Sequence, residues 1–145
     1  MEPMGRNEAL RAGTTDQVWT EDALQDVFQR LRDLESIVNK SPAVVFLRRA
    51  SDAWPVEFVS ENVVQFGYAP DEFLSGRVPF SSIVHPDDRE RITSEVAQYT
   101  REGRTEFMQE YRILSKSGKV RWLDDHVCVR RDASGSVTHY QGIAL

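Results

Sequence analysis

Residues 105–145 read TEFMQEYRILSKSGKVRWLDDHVCVRRDASGSVTHYQGIAL. Two turn signals, Ser117-Gly118 and Asp132-Ala133-Ser134-Gly135, divide this stretch into Thr105 to Ser115, Lys119 to Arg131 and Ser136 to Leu145. Each piece is about ten residues long and rich in β-branched and aromatic side chains, the pattern of strands joined by hairpins. The reading is an antiparallel meander of three strands.

Upstream the period changes. Pro86 opens a helix whose apolar face carries Ile92, Val96 and Tyr99 and which Gly103 closes. Before it come two short helical connectors, Glu61 to Phe66 stopped by Gly67 and Pro70 to Leu74 stopped by Gly76, then the segment Phe80 to Val84. Earlier still, Ala43 to Leu47 and Val56 to Val59 flank the polar, turn-rich stretch Arg48 to Pro55 and read as a hairpin. Two strands, a group of helices and three more strands fit an α+β fold, a five-stranded antiparallel sheet with the helices on one face.

Ser41-Pro42 separates this unit from what precedes it, because proline disfavours helical geometry in the residue before it. Residues 20–40 form an amphipathic helix, with Thr20 as its cap and Leu24, Val27, Leu31, Leu34 and Val38 at alternating spacings of three and four. The stripe suits a coiled-coil-like pairing that makes a homodimer or conducts a signal, and it also suits simple cover for the helix's own domain. Residues 1–19 show little apolar periodicity and read as a flexible leader, leaving 41–145 as the main domain.

Composition narrows the function classes. With 40% apolar and 28% charged residues the chain is globular, and 18 Lys+Arg against 23 Asp+Glu leaves a net charge of −5, with no basic footprint for nucleic acid. Cys128 is the single cysteine, which excludes an intrachain disulfide and a thiolate-rich zinc site and suits a reducing cytoplasm. No run approaches the ~20 apolar residues of a membrane span, so no membrane contact is expected of this segment, although a parent protein can still be anchored.

Five tracts carry a family resemblance. They are Ser60-Glu61-Asn62 with Phe66-Gly67-Tyr68-Ala69-Pro70-Asp71-Glu72-Phe73; Ile83-Val84-His85-Pro86-Asp87-Asp88-Arg89; Glu110-Tyr111-Arg112-Ile113 with Lys116-Ser117-Gly118; Val120-Arg121-Trp122-Leu123; and Gly142-Ile143. In this order and spacing they resemble the PAS sensor domains with a PAC-type C-terminal half, over about Ser41 to Leu145. The resemblance implies a sensory or regulatory domain of a larger prokaryotic signal-transduction protein, of the histidine kinase, cyclic-dinucleotide or transcription-regulator kind. Such domains typically continue into an Asp-(Ile/Val)-Thr tract that leads to an output module. This chain ends at Leu145, before that tract, which implies a segment cut from its output.

No catalytic residue is assigned. No Gly-rich phosphate loop precedes a lysine, and Ser134-Gly135-Ser136 lacks the strand-to-helix elbow of a nucleophilic serine. His85-Pro86-Asp87-Asp88-Arg89 looks like acid-base chemistry, but Pro86 and two acids also suit the start of a helix. Glu110 and Arg112 share a strand face, where Asp125 on the next strand would complete an ion network. Cys128, between Val127 and Val129, is expected to be buried. His126 and His139 fall nearly opposite one another in a hairpin centred near Ala133 and Ser134, yet no metal site is expected from them.

The resemblance also bears on cofactors. Photoactive flavin-binding members need a cysteine in an Asn-Cys-Arg tract on a central helix, and haem-binding members an axial ligand, usually His, on the longer one. Neither is present, since Pro86 to Gly103 holds no His, Cys or Met. Flavin and haem are thus disfavoured. Phe46, Phe58, Val63, Phe66, Phe73, Ile92, Val96 and Trp122 are the candidate lining of an interior that is either filled or shaped for a small apolar or aromatic ligand.

Overall fold

The computed structural model describes residues 19–145, so the leader expected over 1–19 lies, apart from Trp19, outside the described residues. The chain divides into a first unit that ends at Glu35 and a second unit, Ser36–Leu145. Helix α1 spans Glu21–Asn39, capped as expected when the Thr20 hydroxyl accepts from the Ala23 N–H at 3.0 Å. None of its residues is buried, and Leu24, Val27, Leu31 and Leu34 are all exposed.

The second unit holds β1 (Val44–Arg49), β2 (Val56–Val59), a 3-10 turn (Glu61–Phe66), α2 (Pro70–Leu74), α3 (Phe80–Ile83), α4 (Pro86–Arg101), β3 (Glu106–Leu114), β4 (Val120–Arg131) and β5 (Val137–Ala144). The five strands form one antiparallel sheet in the order β2-β1-β5-β4-β3. Glycines close the helical connectors as read: Gly67 adopts φ +87° and Gly118, in the β3–β4 turn, +89°, a region where a side chain is strained.

Asn62 pins the corner where the chain leaves α1. Its amide nitrogen donates to the carbonyls of Val38, Ser41 and Ala43 at 2.6 to 2.9 Å, which explains a polar residue held inside an apolar turn. Between helices and sheet the core gathers Val44, Phe46, Val63, Phe66, Phe73, Phe80 and Ile92. Phe46 meets Phe73 and Phe80 edge-on, with ring centroids 5.6 and 4.9 Å apart.

Two of the expected interior residues point the other way. Phe58 is 45% exposed because a bulge opposite Leu47 and Arg48 makes Val59 pair with Phe46 and Val56 with Arg48, so Glu57 and Phe58 both turn outward. Trp122 is 60% exposed because Leu123, Asp125 and Val127 take the inner parity of β4. The Arg112 guanidinium covers its ring at 5.3 Å. By the same parity Cys128 is exposed, correcting the expectation that it is buried.

Candidate functional site

The inner face of a sheet alternates with its outer face, so β1 should bury Val44, Phe46 and residue 48 together. Residue 48 is Arg48. Its side chain is carried from β1 across β5 over Gly142, where no side chain intervenes, and reaches Asp125 on the inner parity of β4. Nη1 donates to Asp125 Oδ2 at 2.9 Å, and the Tyr111 hydroxyl donates to the same oxygen at 2.6 Å. Arg48 is 5% exposed and Asp125 1%, so this is an ion pair inside the core.

Burial alone would lower the Arg48 guanidinium, but the adjacent Asp125 carboxylate outweighs it and holds the group above its ordinary value. Burial, then the Asp125 charge, pushes the Tyr111 hydroxyl well up, so it stays a donor. Phe80 lies against the guanidinium, 4.4 Å from its carbon to the ring centre. Three polar atoms in this group have no partner among the described residues: Arg48 Nε, Arg48 Nη2 and Asp125 Oδ1. Nε and Nη2 form the side edge of the guanidinium, a fork of two parallel donors.

A cavity of about 20 Å³ adjoins this group, walled by Arg48, Trp54, Phe80, Ile92, Val96, Phe107, Gln109, Tyr111, Val127 and Tyr140. That is room for one water-sized molecule. Of the sequence-derived lining residues, Ile92 and Val96 reach it; Phe46, Val63, Phe66 and Phe73 are packed elsewhere in the interior, and Phe58 and Trp122 lie on the outer face. Trp54 belongs to the β1–β2 loop, in which Ala53 and Trp54 hold φ of +67° and +51°, a strained region for residues with a side chain.

The expected ion network takes another form. Asp125 pairs in register with Gln109 and faces inward, so it is not beside Glu110 and Arg112. Arg112 instead grips Asp88 in the first turn of α4, with Nε at 3.0 Å and Nη2 at 2.7 Å, while its backbone N–H donates to the same carboxylate at 2.8 Å. His85 caps the helix, accepting from the Asp87 N–H through Nδ1 at 3.1 Å. The tract that looked catalytic thus starts a helix and ties it to β3. His126 and His139 are not opposite: β4 and β5 pair His126 with Ile143 and Arg130 with His139, and His139 Nε2 lies 2.9 Å from Glu57.

Hydrogen bonds from the Arg112 side chain hold the Asp88 carboxyl well below the usual carboxylate range despite its burial. A depressed folded-state value contributes stability above the unfolded value, about pH 4, and that stability is lost as pH falls through the folded one. The urea midpoint of Asp88→Asn should therefore lie below that of the parent at neutral pH, and the gap should narrow progressively below about pH 4. A gap independent of pH would mean that the charge on Asp88 contributes nothing.

A five-stranded antiparallel sheet covered by short helices, with a buried ion pair and a small internal cavity, defines an α+β domain. The model of the family described as PAS fold matches residues 56–144, and the chain belongs to that family. It is 45% identical over 126 residues to the methyl sulfide methyltransferase-associated sensor of Methanosarcina acetivorans, an alignment covering 87% of this chain and 13% of that protein. The chain therefore spans only a small part of this relative's length. The PAS domain of a protein from Colwellia psychrerythraea superposes with a TM-score of 0.66 at 18% identity, over 80% of this chain and 95% of that one. The N-terminal domain of a diguanylate cyclase with PAS/PAC sensor from Marinobacter aquaeolei gives 0.59 at 21% identity, over 71% and 93%. A light-oxygen-voltage domain from a study of a flavin analogue gives 0.61 at 17%, over 78% and 83%. These likenesses show the PAS fold, and no helix among the described residues is long and apolar enough to cross a membrane.

Proposed function

We propose that this PAS domain is the sensory, regulatory segment of a larger prokaryotic signal-transduction protein in the cytoplasm, with no catalysis of its own. It controls an output module of the kinase or cyclase kind, and its signal enters through the interior beside Arg48. The observation that carries this reading is the trio of unpartnered polar atoms on Arg48 and Asp125. An apolar core of the same volume is often as stable as a buried ion pair or more so, so a pair with spare donors and a spare acceptor fits a recognition role.

The chemistry of the guest follows from charge. Arg48 and Asp125 already neutralise each other, so a charged guest would bring uncompensated charge into the core. A small uncharged molecule that offers an acceptor to the unpartnered Arg48 donors, with an apolar or aromatic remainder, meets the needs of the cavity that Arg48 lines. Anything larger than water enters only if a wall moves, and the strained Ala53-Trp54 backbone is the part with energy to release. Flavin and haem are not expected here. Dimerisation through α1 completes the proposal, because Leu24, Val27, Leu31 and Leu34 remain exposed.

Titration of the isotopically labelled chain with formamide, acetamide and benzamide, followed by amide NMR, tests the interior. Saturable shifts centred on Trp54, Tyr140 and Gly142 that disappear in Tyr111→Phe or Arg48→Lys support the sensor reading. No saturable shift with any of the three means that the cavity holds only water, and the domain is then a constitutive interaction module, the reading favoured by the close ring packing of Phe46, Phe73 and Phe80. Sedimentation of Leu31→Glu should show a shift from dimer to monomer with strand content retained; an unchanged mass removes α1 from the interface.

A further inference from the structure

We propose that Glu106, His126 and Cys128, on the outer face of the sheet and away from the interior site, bind a thiophilic divalent metal ion of the zinc class. The three come together through the strand pairing. On β4, His126 and Cys128 are two residues apart and so project from the same face, while the β3–β4 register sets Glu106 directly across from Cys128. One donor atom from each, an imidazole nitrogen, a thiol sulfur and a carboxylate oxygen, lies within 4.8 Å of the other two. His126 Nε2 is 3.7 Å from Glu106 Oε1.

Tetrahedral zinc with bonds of about 2.0 to 2.3 Å holds its donors about 3.3 to 3.7 Å apart. The nitrogen and oxygen, 3.7 Å apart, stand a few tenths of an ångström wider than bonds of about 2.0 to 2.2 Å would hold them, and side-chain rotation has to bring them and the sulfur, within 4.8 Å of both, onto the ion. The ladder fixes the three Cα positions, so the cost of assembling the site falls on rotamers alone. All three residues are exposed, so an ion can reach them from solvent, and the Glu106–His126 pair already holds two of the donors together. Imidazole with thiolate selects zinc-like ions over magnesium or calcium, which prefer oxygen. On binding, the Cys128 thiol gives its proton to solvent and a sulfur lone pair to the ion. Water takes the fourth position, and Met108, which pairs in register with His126, offers a thioether as a soft alternative.

Cobalt(II) added to the reduced, full chain is the test, with zinc competition against a chromophoric chelator as the second readout. A one-to-one complex with thiolate-to-cobalt charge-transfer absorption is expected. Cys128→Ser should abolish that absorption, and Cys128→Ser and His126→Ala should each weaken zinc binding by about tenfold or more, with unchanged circular dichroism. Asp124→Asn, a control on the same strand face, should bind like the parent. Failure of the parent to form a stoichiometric complex, or a Cys128→Ser variant that binds zinc as tightly as the parent, would overturn the proposal.

Discussion

Arg48→Met should lower the unfolding free energy by about 3–5 kcal/mol, because it leaves Asp125 in the core without its countercharge. The size of the loss comes from the orphaned carboxylate and not from the pair's own attraction. Replacing both partners, Arg48→Met with Asp125→Leu, should therefore recover most of what the single change removes. Urea melts of the parent, the single and the double variant measure this directly. If the double variant is as unstable as the single one, Arg48 contributes through packing against Phe80 and Phe46 and not through charge.

Gly142→Ala should cost about 1–3 kcal/mol, although the backbone there is one that alanine can adopt. The reason is local crowding. An added Cβ would overlap Arg48 Nη2 and stand 2.6 Å from Asp125 Oδ1, so the guanidinium must leave its place over the sheet floor. An exposed arginine would swing aside at little cost, but this one is buried and held at 2.9 Å by Asp125. The cost should consequently be smaller in an Arg48→Met background, a coupling that a double-mutant cycle reads out. Equal costs in both backgrounds would show that the guanidinium relocates freely and that the glycine serves another purpose.

A charged bridge thus spans β1, β5 and β4 beneath the helices, with Arg48 in the wall of the cavity. Its parts are legible in the strand parity. Arg48 follows Val44 and Phe46 on the inner parity of β1, and Asp125 stands between Leu123 and Val127 on that of β4. Charge on the apolar parity of two separate strands is the signal of a buried pair. Arg48 also opens the polar, turn-rich stretch that runs to Pro55, a local pattern that masks its place as the third inward residue of β1.

Sequence by itself determined the element order and most of the boundaries, since periodicity, proline starts and glycine stops are local properties of the chain. It determined the α+β class, the helix-starting role of His85-Pro86-Asp87 and the family. Tertiary structure decided whatever depends on register between distant residues. One bulge turned Phe58 outward, the β4–β5 pairing separated His126 from His139, and the β3–β4 pairing brought Glu106 to Cys128. Arg48 and Asp125, 77 residues apart, met only because Gly142 left the space between them open. A shift of one residue exchanges the two faces of a strand, and no local preference in the chain fixes that shift. Packing of the whole sheet against its helices fixes it.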